Sequence, residues 1–328
     1  MSRIVLRLLL TLIVGVALAA AGAWLYVQNR LEAPGPLAAS KVVVVPKGTG
    51  SGEIGALLER QGVIDDDLLF RFALRLDRDR RPLRAGEYEF AAGTTIKAAI
   101  EQMQAGRTVV RRFTVPEGLT VAEVLKLVRE VEGLEGDVSL RPAEGTLLPE
   151  TYHYSLGDSR DSVVQRMRQA MTEILDAAWA RRRDDLPLAS KQEALTLASI
   201  VEKETGVASE RPRVAAVFVN RLRLGMRLES DPTIIYGITK GSGPLDRTLT
   251  RTDVQTPSAY NTYTIPGLPP GPIANPGKAA IEATLAPIKS KELYFVADGT
   301  GGHAFAETLE QHNRNVAAWR RFQREQKK

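Results

Sequence analysis

A run of apolar residues near the amino terminus restricts this chain more than any other feature. Leu8 to Val27 carries no charge, and its length is about what an α-helix needs to cross the hydrocarbon of a bilayer. Arg3 and Arg7 precede the run, and positive charge on a short flanking segment favours the cytoplasmic side. Arg30 weakens that asymmetry. The pattern therefore predicts one membrane-spanning helix, with the rest of the chain exported.

A cleaved signal peptide is the alternative interpretation of this segment. The letters ALAAAG offer small residues of the kind that a signal peptidase accepts. The run is nevertheless longer than a usual signal-peptide core, and no small-residue site follows its end. Trp24 and Tyr26 would lie at the outer membrane interface. We therefore expect a cytoplasmic stub over residues 1–7, a transmembrane helix over residues 8–27 and a linker over residues 28–40.

Composition excludes several classes of function. The 328 residues carry a formal charge of +5 in mixed runs such as RLDRDRRPLR, which are typical of solvated faces rather than nucleic-acid sites. The absence of cysteine excludes disulfides, thiolate nucleophiles and cysteine zinc sites. The histidines His153, His303 and His312 lack metal-ligand spacing, and the letters GTGSG and GTGG lack the features of a phosphate-binding loop. We predict no metal, no cofactor and no nucleic-acid partner.

A weak internal repeat follows the linker. The letters VVPKGTGSGEIGALLERQGV from Val44 are similar to TVPEGLTVAEVLKLVREVEG from Thr114, and each copy reads as strand, turn and helix. The letters AGEYEFAAGTTIKAAIEQMQAG between them have the same form. Residues 41–140 are therefore predicted to form a small α+β module, which resembles LysM-type peptidoglycan-binding modules. A spacer module that binds nothing fits the same letters equally well.

Two glutamates stand at the end of a strongly periodic segment. The letters KQEALTLASIVEKETG predict a helix that Gly206 stops. Glu204 lies beside the apolar stripe that contains Ile200 and Val201, and Glu202 lies on the opposite margin, so periodicity favours Glu204 only slightly. The helix dipole and partial burial should both make a glutamate here keep its proton, as a general acid must. Two exposed surface glutamates would fit the same spacing.

Hydrogen-bonding and aromatic residues are dense on the carboxyl-terminal side of this helix. Aromatic rings suit the faces of a sugar and amides and hydroxyls suit its edges, so the density suggests a saccharide site, although a turn-rich loop would account for the tyrosines, amides and hydroxyls at 260–263. The Pro- and Gly-rich stretch that follows is expected to stiffen a groove wall. The candidate substrate-binding residues are Asn220, Arg221, Asp231, Thr233, Tyr236, Tyr260, Asn261, Thr262 and Tyr263.

Three long blocks carry a family resemblance. They are LASIVEKETGVASERPRVAAVFVNRLRLGMRLESDPTIIYG, TPSAYNTYTIPGLPPGPIANPG and LYFVADGTGGHAFAETLEQHN, and in order and spacing they resemble the membrane-anchored endolytic murein transglycosylases, the YceG-like family. With EGTLLPETY, the LysM-like region and the anchor, the likeness covers almost the whole chain. The resemblance implies an α+β fold with a catalytic domain over residues 141–328. It also places the family's catalytic acid, the second glutamate of E-K-E-T, at Glu204.

The resemblance further implies cleavage of the β-1,4 bond between N-acetylmuramic acid and N-acetylglucosamine in peptidoglycan, leaving a 1,6-anhydro end. It implies work on nascent strands at the outer face of the inner membrane, where cleavage would set strand length, and glycan-polymerising penicillin-binding proteins as partners. Two alternatives stay open. A muramidase-type hydrolase would need a second carboxylate, with Asp231 the first candidate before Glu210, Glu229 and Asp253. A non-catalytic peptidoglycan-binding scaffold would use Glu204 only for hydrogen bonding.

Overall fold

The computed structural model describes residues 3–77 and 81–326, and its contacts divide the chain into two compact units. The first unit runs to Arg111 and includes Tyr154–Gly157, and the second contains Arg112–His153 and the chain from Asp158 onward. The boundary predicted at residue 140 lies inside the second unit. Residues 1–2 of the predicted stub, residues 78–80 of the charged run RLDRDRRPLR and residues 327–328 lie outside the described residues.

The first unit packs its helices against a two-stranded antiparallel sheet. Strands β1 (Lys41–Val45) and β2 (Gly86–Phe90) pair throughout their length, and the alternation of β1 buries Val43 and Val45 while Val42 faces solvent. The letters KVVVVPKG predict a strand that runs into a turn, and the alternating burial is that of a strand with one face on the core. The helices of this unit are α1 (Arg3–Glu32), α2 (Ser51–Arg60), α3 (Asp67–Leu76) and α4 (Ile96–Ala105).

The helix α1 is longer than its apolar letters predict. Leu6–Glu32 is long and apolar enough to cross a membrane, and no other helix in the described part of the chain is. The helix continues without a break to Glu32, so the predicted linker is helical over residues 28–32. Leu31 is 7% exposed and belongs to the core of the first unit, which Val27 also contacts. Tertiary packing therefore extends the helix beyond the membrane segment.

The second unit contains most of the helices and two small sheets. Strand β3 begins at its boundary with the first unit and β4 pairs with it, while β5 and β6 form an antiparallel pair near the carboxyl terminus. The described elements are β3 (Arg111–Thr114), α5 (Val121–Glu130), β4 (Thr151–Tyr154), α6 (Arg160–Ala180), α7 (Lys191–Glu204), a 3₁₀ turn (Ala208–Glu210), α8 (Arg211–Arg223), α9 (Asp231–Thr239), α10 (Arg251–Gln255), α11 (Lys278–Leu285), β5 (Tyr294–Ala297), β6 (His303–Ala306) and α12 (Leu309–Gln326).

The helix α7 runs through the core of the second unit. The helices α6, α8 and α11 all pack against it. Every residue from 194 to 201 is buried, so the helix is enclosed on all sides rather than along one stripe. For this reason the periodicity of the sequence could not separate the two glutamates at its end. The α+β class and the single amino-terminal apolar helix are both confirmed.

The internal repeat is present as local structure but not as one module. Glu53 in α2 and Glu123 in α5 each accept a hydrogen bond from the backbone N–H of the residue that caps their helix, at 3.1 Å and 2.8 Å. The two equivalent helices therefore begin in the same way. The first copy lies in the first unit and the helix of the second copy in the second, where α5 packs against α6.

The carboxyl-terminal half of the Pro- and Gly-rich stretch is buried in the core of the second unit. Residues 271–277 are all buried. The Asn275 amide donates to the Leu119 carbonyl at 2.9 Å and accepts from the Leu147 backbone N–H at 2.9 Å. The Ile273 backbone N–H donates to the buried Ser199 hydroxyl at 3.0 Å. The stretch therefore connects segments of the core that are far apart in the sequence. The partners of its polar groups could not be identified from the sequence alone.

Candidate active site

The helix α7 begins at a capping hydrogen bond and ends where the backbone conformation changes. At its start the Ser190 hydroxyl accepts from the Glu193 backbone N–H at 3.2 Å, which satisfies one of the free donors of the first turn. The helix ends at Glu204, and Thr205 then turns to an extended conformation with φ −142°. The predicted stop at Gly206 is therefore one residue late, since the chain leaves the helix at Thr205. Glu204 is the last helical residue, where backbone carbonyls lack helical partners.

Glu202 is occupied by contacts inside the protein. Its side chain is 5% exposed and lies 3.5 Å from the Arg211 guanidinium, which also binds Glu117 at 3.0 Å. The Gly277 backbone N–H donates to the Glu202 carboxylate at 2.9 Å. Burial raises the pKa of Glu202, and these contacts act against that rise. Glu202 thus fastens the buried 271–277 stretch to α7.

Glu204 is half-buried and faces the polar residues that follow α8. Its Oε1 accepts a hydrogen bond of 2.5 Å from the Ser230 hydroxyl. Burial raises its pKa to about 7 and the charge of Asp231 acts in the same direction, whereas Ser230, His303 and Arg221 act to lower it. A carboxyl with this pKa is protonated in a large fraction of molecules near neutral pH. The arrangement fits a general acid that can afterwards act as a base.

Ser230 is held by two buried threonines. Its backbone N–H donates to Thr262 Oγ1 at 3.0 Å, and its carbonyl accepts from Thr233 Oγ1 at 2.6 Å. Glu229 before it has φ 53°, a left-handed conformation that non-glycine residues rarely adopt. Ser230 stands at the cap of α9 but makes no side-chain capping bond, because its hydroxyl donates to Glu204. Sequence reasoning missed this residue, since Ser before Asp-Pro reads as an ordinary helix cap.

Arg221 supports the loop that carries Ser230. Its guanidinium donates to the Leu293 carbonyl at 2.7 Å, the Leu228 carbonyl at 2.8 Å and the Glu229 carboxylate at 3.3 Å. Its side chain is 9% exposed. Because the Arg221 guanidinium donates several hydrogen bonds to backbone carbonyls, this side chain of α8 holds the loop before α9 in place. These hydrogen bonds give Arg221 a supporting position in the site, and its predicted contact with substrate stays a prediction.

Four more of the predicted substrate-binding residues also make hydrogen bonds inside the protein. The Asn220 amide donates to the Ser290 and Glu292 carbonyls at 2.8 Å and 3.0 Å, and the buried Asn261 amide donates to the Thr256 carbonyl at 2.7 Å. Their donors satisfy backbone carbonyls that would otherwise lack partners. The four residues whose side chains stabilise the surroundings of the site in this way are Asn220, Thr233, Asn261 and Thr262.

Asp231 and Tyr263 form a pair next to Glu204. The Tyr263 hydroxyl donates to Asp231 Oδ1 at 2.8 Å. Burial raises the pKa of Tyr263, and the adjacent Asp231 carboxylate raises it further. Asp231 itself is exposed, and Tyr263 is half-buried. Of the predicted set, these two side chains are the ones placed beside the acid.

Tyr236 and Tyr260 stand on the other side of α9. Their ring centroids are 4.8 Å apart with an interplanar angle of 50°, and the Tyr236 hydroxyl donates to Glu144 at 3.3 Å. Burial raises the pKa of Glu144. A cavity of about 370 Å³ is lined by Tyr236, Lys203, Pro232 and other residues of this unit, but not by Glu204. Because Lys203 and Pro232 adjoin Glu204 and Asp231 in the chain, the cavity neighbours the acid.

His303 and Glu210 form a second pair that the sequence did not reveal. The His303 ring nitrogen Nδ1 lies 2.7 Å from Glu210 Oε2, and the His303 backbone N–H donates to Oε1 at 2.9 Å. Burial acts to raise the pKa of Glu210, but His303 outweighs it and leaves the pKa lowered. The Thr205 hydroxyl, next to Glu204, also donates to Glu210 at 3.4 Å. A spacing of 93 residues between the partners concealed the pair.

These features define a class of protein: one with an amino-terminal helix that is long and apolar enough to cross a membrane, and with a half-buried, partly protonated carboxyl at the end of a buried helix. The comparison with family models is consistent with that class. The chain belongs to the YceG-like family, whose model matches residues 43–318.

Similar proteins cover most of the chain. An endolytic murein transglycosylase of Bacillus subtilis (strain 168) is 28% identical over 89% of this chain and 89% of its own length. One of Streptococcus pneumoniae serotype 2 (strain D39) is 29% identical over 94% of this chain, which spans 64% of that longer relative. The crystal structure of a YceG-like protein from Listeria monocytogenes superposes with a TM-score of 0.52 at 31% identity, covering 84% of this chain and 98% of that one.

Proposed function

We propose that this protein is an endolytic peptidoglycan lytic transglycosylase with Glu204 as its catalytic acid and base. The observation that carries the proposal is the half-buried Glu204 carboxyl on the Ser230 hydroxyl, with a pKa of about 7. Its neighbour Glu202 binds Arg211 and Gly277 and is not free for the same role. Family membership and relatives named endolytic murein transglycosylase support the substrate.

The proposed reaction needs only one carboxyl from the protein. Glu204 donates its proton to the oxygen that links N-acetylmuramic acid to N-acetylglucosamine, and the bond from C1 to that oxygen breaks. The acetamido group of the muramic acid supports the positive charge that develops at C1. The Glu204 carboxylate then takes the proton of the C6 hydroxyl of the same sugar, whose oxygen bonds to C1. A nucleophile within the substrate has a high effective concentration, so no water is consumed.

Three tyrosines and one aspartate are the side chains we propose as contacts for the glycan. Asp231 and Tyr263 lie beside Glu204, and Tyr236 and Tyr260 lie at the neighbouring cavity. Tyrosine offers a face for stacking on a sugar and a hydroxyl for its edge. The buried amides and threonines hold these contacts in position rather than reaching the glycan themselves.

The proposed location is supported by the helix α1. Arg3 and Arg7 before the apolar run favour a cytoplasmic amino terminus under the positive-inside rule, so both units would lie outside the inner membrane. A tethered enzyme works where new strands emerge, next to glycan-polymerising penicillin-binding proteins, and would terminate their elongation. The first unit, with its β1-α2-α3-β2 order, would serve as a LysM-like module that holds the same glycan.

The first experiment is mass spectrometry of the glycan ends released by the full chain in detergent, beside its Glu204→Gln variant. We expect ends lighter by one water, and a rate that is about 10²–10⁴-fold lower without the acid. Glu173→Gln, at an exposed residue of α6 in the same unit, is the matched control and should keep the same product. Longer strands are expected in cells that carry only the Glu204→Gln protein.

Two other outcomes would replace the proposal. Reducing ends would make the protein a muramidase-type hydrolase, an alternative favoured by the proximity of Asp231 to Glu204. Equal product from the wild type and the Glu204→Gln variant, removed by further purification, would point to a peptidoglycan-binding scaffold.

A further inference from the structure

The first unit carries an exposed apolar stripe next to the membrane helix. The helix α3 buries Phe70 in the core, while Leu68, Phe72 and Leu76 are 68%, 45% and 43% exposed. Their spacing of four residues aligns them along one side of the helix. Apolar side chains in such a row are costly to leave in water and indicate a surface that binds an apolar partner.

The position of α3 relative to α1 identifies that partner. Both α3 and α4 pack against α1. A groove of about 220 Å³ is lined by Trp24 and Gln28 of α1 together with Ala73 and Leu76 of α3. Trp24 and Tyr26 are the aromatic residues at the end of the apolar run, where tryptophan and tyrosine mark the boundary between hydrocarbon and headgroups. The carboxyl-terminal end of α3 therefore lies at the depth of the lipid headgroups.

The attachment of α1 to the first unit fixes this depth. Glu32 of α1 binds Lys97 of α4 at 2.8 Å, and Arg30 of α1 binds Asp65, just before α3, at 2.8 Å. Leu31 between them is buried in the core. The helix leaves the bilayer and enters the unit within one or two turns, so no flexible segment separates them.

The charges of α3 suit a lipid surface. Arg71 and Arg75 lie along one edge of the apolar stripe; Arg71 is paired with Asp67 at 2.6 Å, and Arg75 is exposed. An apolar face bordered by arginines is typical of helices that lie in the interface, since the guanidinium groups reach lipid phosphates while the apolar side chains enter the acyl boundary.

We propose that α3 rests its Leu68, Phe72 and Leu76 stripe on the outer leaflet of the membrane that α1 spans. The partner is the phospholipid bilayer itself, and the contact continues the membrane surface of α1. Two contact points, α1 and α3, then fix the tilt of the first unit on the bilayer, whereas one helix alone would let it rotate. The inference concerns this unit only and does not depend on the reaction of the second.

The absence of cysteine makes a direct test possible in the full chain. Single substitutions Leu68→Cys and Phe72→Cys would carry a nitroxide label in protein reconstituted into nanodiscs of zwitterionic and anionic phospholipid. We expect collision with oxygen, which concentrates in lipid, to exceed collision with a water-soluble nickel chelate severalfold at both positions. The control is Leu224→Cys, which replaces a leucine that is 64% exposed in the second unit and should show the opposite ratio.

Two results would overturn the proposal. Nickel accessibility at positions 68 and 72 equal to that at position 224 would mean that the stripe faces water. Broadening of the nitroxide spectrum that disappears on dilution with unlabelled protein would mean that a second copy of the chain covers it. Retention of the membrane-like ratio on dilution, with a wild-type circular dichroism spectrum for each variant, would support the lipid contact.

Discussion

Two glutamates on one helix turn illustrate how partners rather than position assign chemistry. Glu202 meets a guanidinium and a backbone N–H, and its carboxylate is used for holding the chain together. Glu204, two residues later, has a hydroxyl as its hydrogen-bond donor, and burial, together with the charge of Asp231, raises its pKa to about 7. A neutral hydrogen-bond donor stabilises a carboxylate less than a cation does, so Ser230 offsets only part of the effect of burial.

The hydroxyl of Ser230 tunes the acid, which gives a prediction for pH dependence. In the proposed mechanism, activity falls as pH rises through the pKa of Glu204, because cleavage of the glycosidic bond needs the protonated carboxyl. Ser230→Ala removes a donor that favours the charged form, so the pKa of Glu204 rises and the alkaline limb of kcat/KM moves to higher pH, by about one unit. The measurement is the pH profile of glycan cleavage by the wild type and the variant.

Ser242→Ala is the control for this comparison, since its hydroxyl donates to the Thr239 carbonyl rather than to Glu204. A limb that moves to lower pH in Ser230→Ala would mean that the hydroxyl stabilises the protonated carboxyl instead. An unmoved limb would mean that another group controls the alkaline side of the profile.

At the scale of elements, the loop before α9 depends on a side chain from α8. The Arg221 guanidinium donates hydrogen bonds to the backbone carbonyls of Leu228 and Leu293. Arg221→Lys keeps the charge but loses the fork, leaving buried acceptors without donors, so the free energy of unfolding should fall by about 2–4 kcal/mol. Thermal unfolding of the second unit measures this, and the rate of glycan cleavage should fall with it because Ser230 loses its support.

Arg223→Lys on the same helix is the matched control. Arg223 is partly exposed and pairs with Asp185 at 2.7 Å, so its replacement should change the free energy of unfolding by less than about 1 kcal/mol. Equal losses in the two variants would show that charge, and not the buried fork of Arg221, stabilises the loop.

The sequence was sufficient for the elements with local signals. The strand at Lys41–Val45, the helix that ends at Glu204 and the apolar α1 all follow from period, caps and length. It was insufficient where distant partners decide. The end of α1 depends on packing of Leu31, and the placement of the 271–277 stretch depends on carbonyls more than a hundred residues away, as for Asn275 and Leu119. Ser230 was missed for the same reason, because its hydroxyl binds Glu204, 26 residues earlier, while its local sequence predicts an ordinary helix cap.

On the scale of the whole molecule, the continuity of α1 affects where the chain can be shortened to remove the apolar segment. A protein of residues 28–328 keeps Leu31 and the pairs of Arg30 with Asp65 and Lys97 with Glu32. A protein of residues 41–328 starts at the predicted beginning of the folded part and loses all three. We expect its first unit to be less stable by about 2–3 kcal/mol, mainly from lost burial of Leu31.

Hydrogen exchange of α3 and α4 in the two proteins measures this loss. The second unit provides the internal control, because its amides should exchange equally in both. Leu31→Ala in residues 28–328 should reproduce most of the difference. Equal protection of α4 in both proteins would show that the end of α1 does not stabilise the first unit.

The buried 271–277 stretch also sets an order of events during synthesis. Asn275 binds Leu119, 156 residues earlier, and His303 reaches Glu210 across 93 residues, so neither contact exists until most of the chain has been made. Ribosomes deliver the amino-terminal end first, and contacts of long sequence separation close late. Glu204 therefore leaves the ribosome before Ser230 does, and a nascent or truncated chain that ends before residue 303 lacks the partner of Glu210.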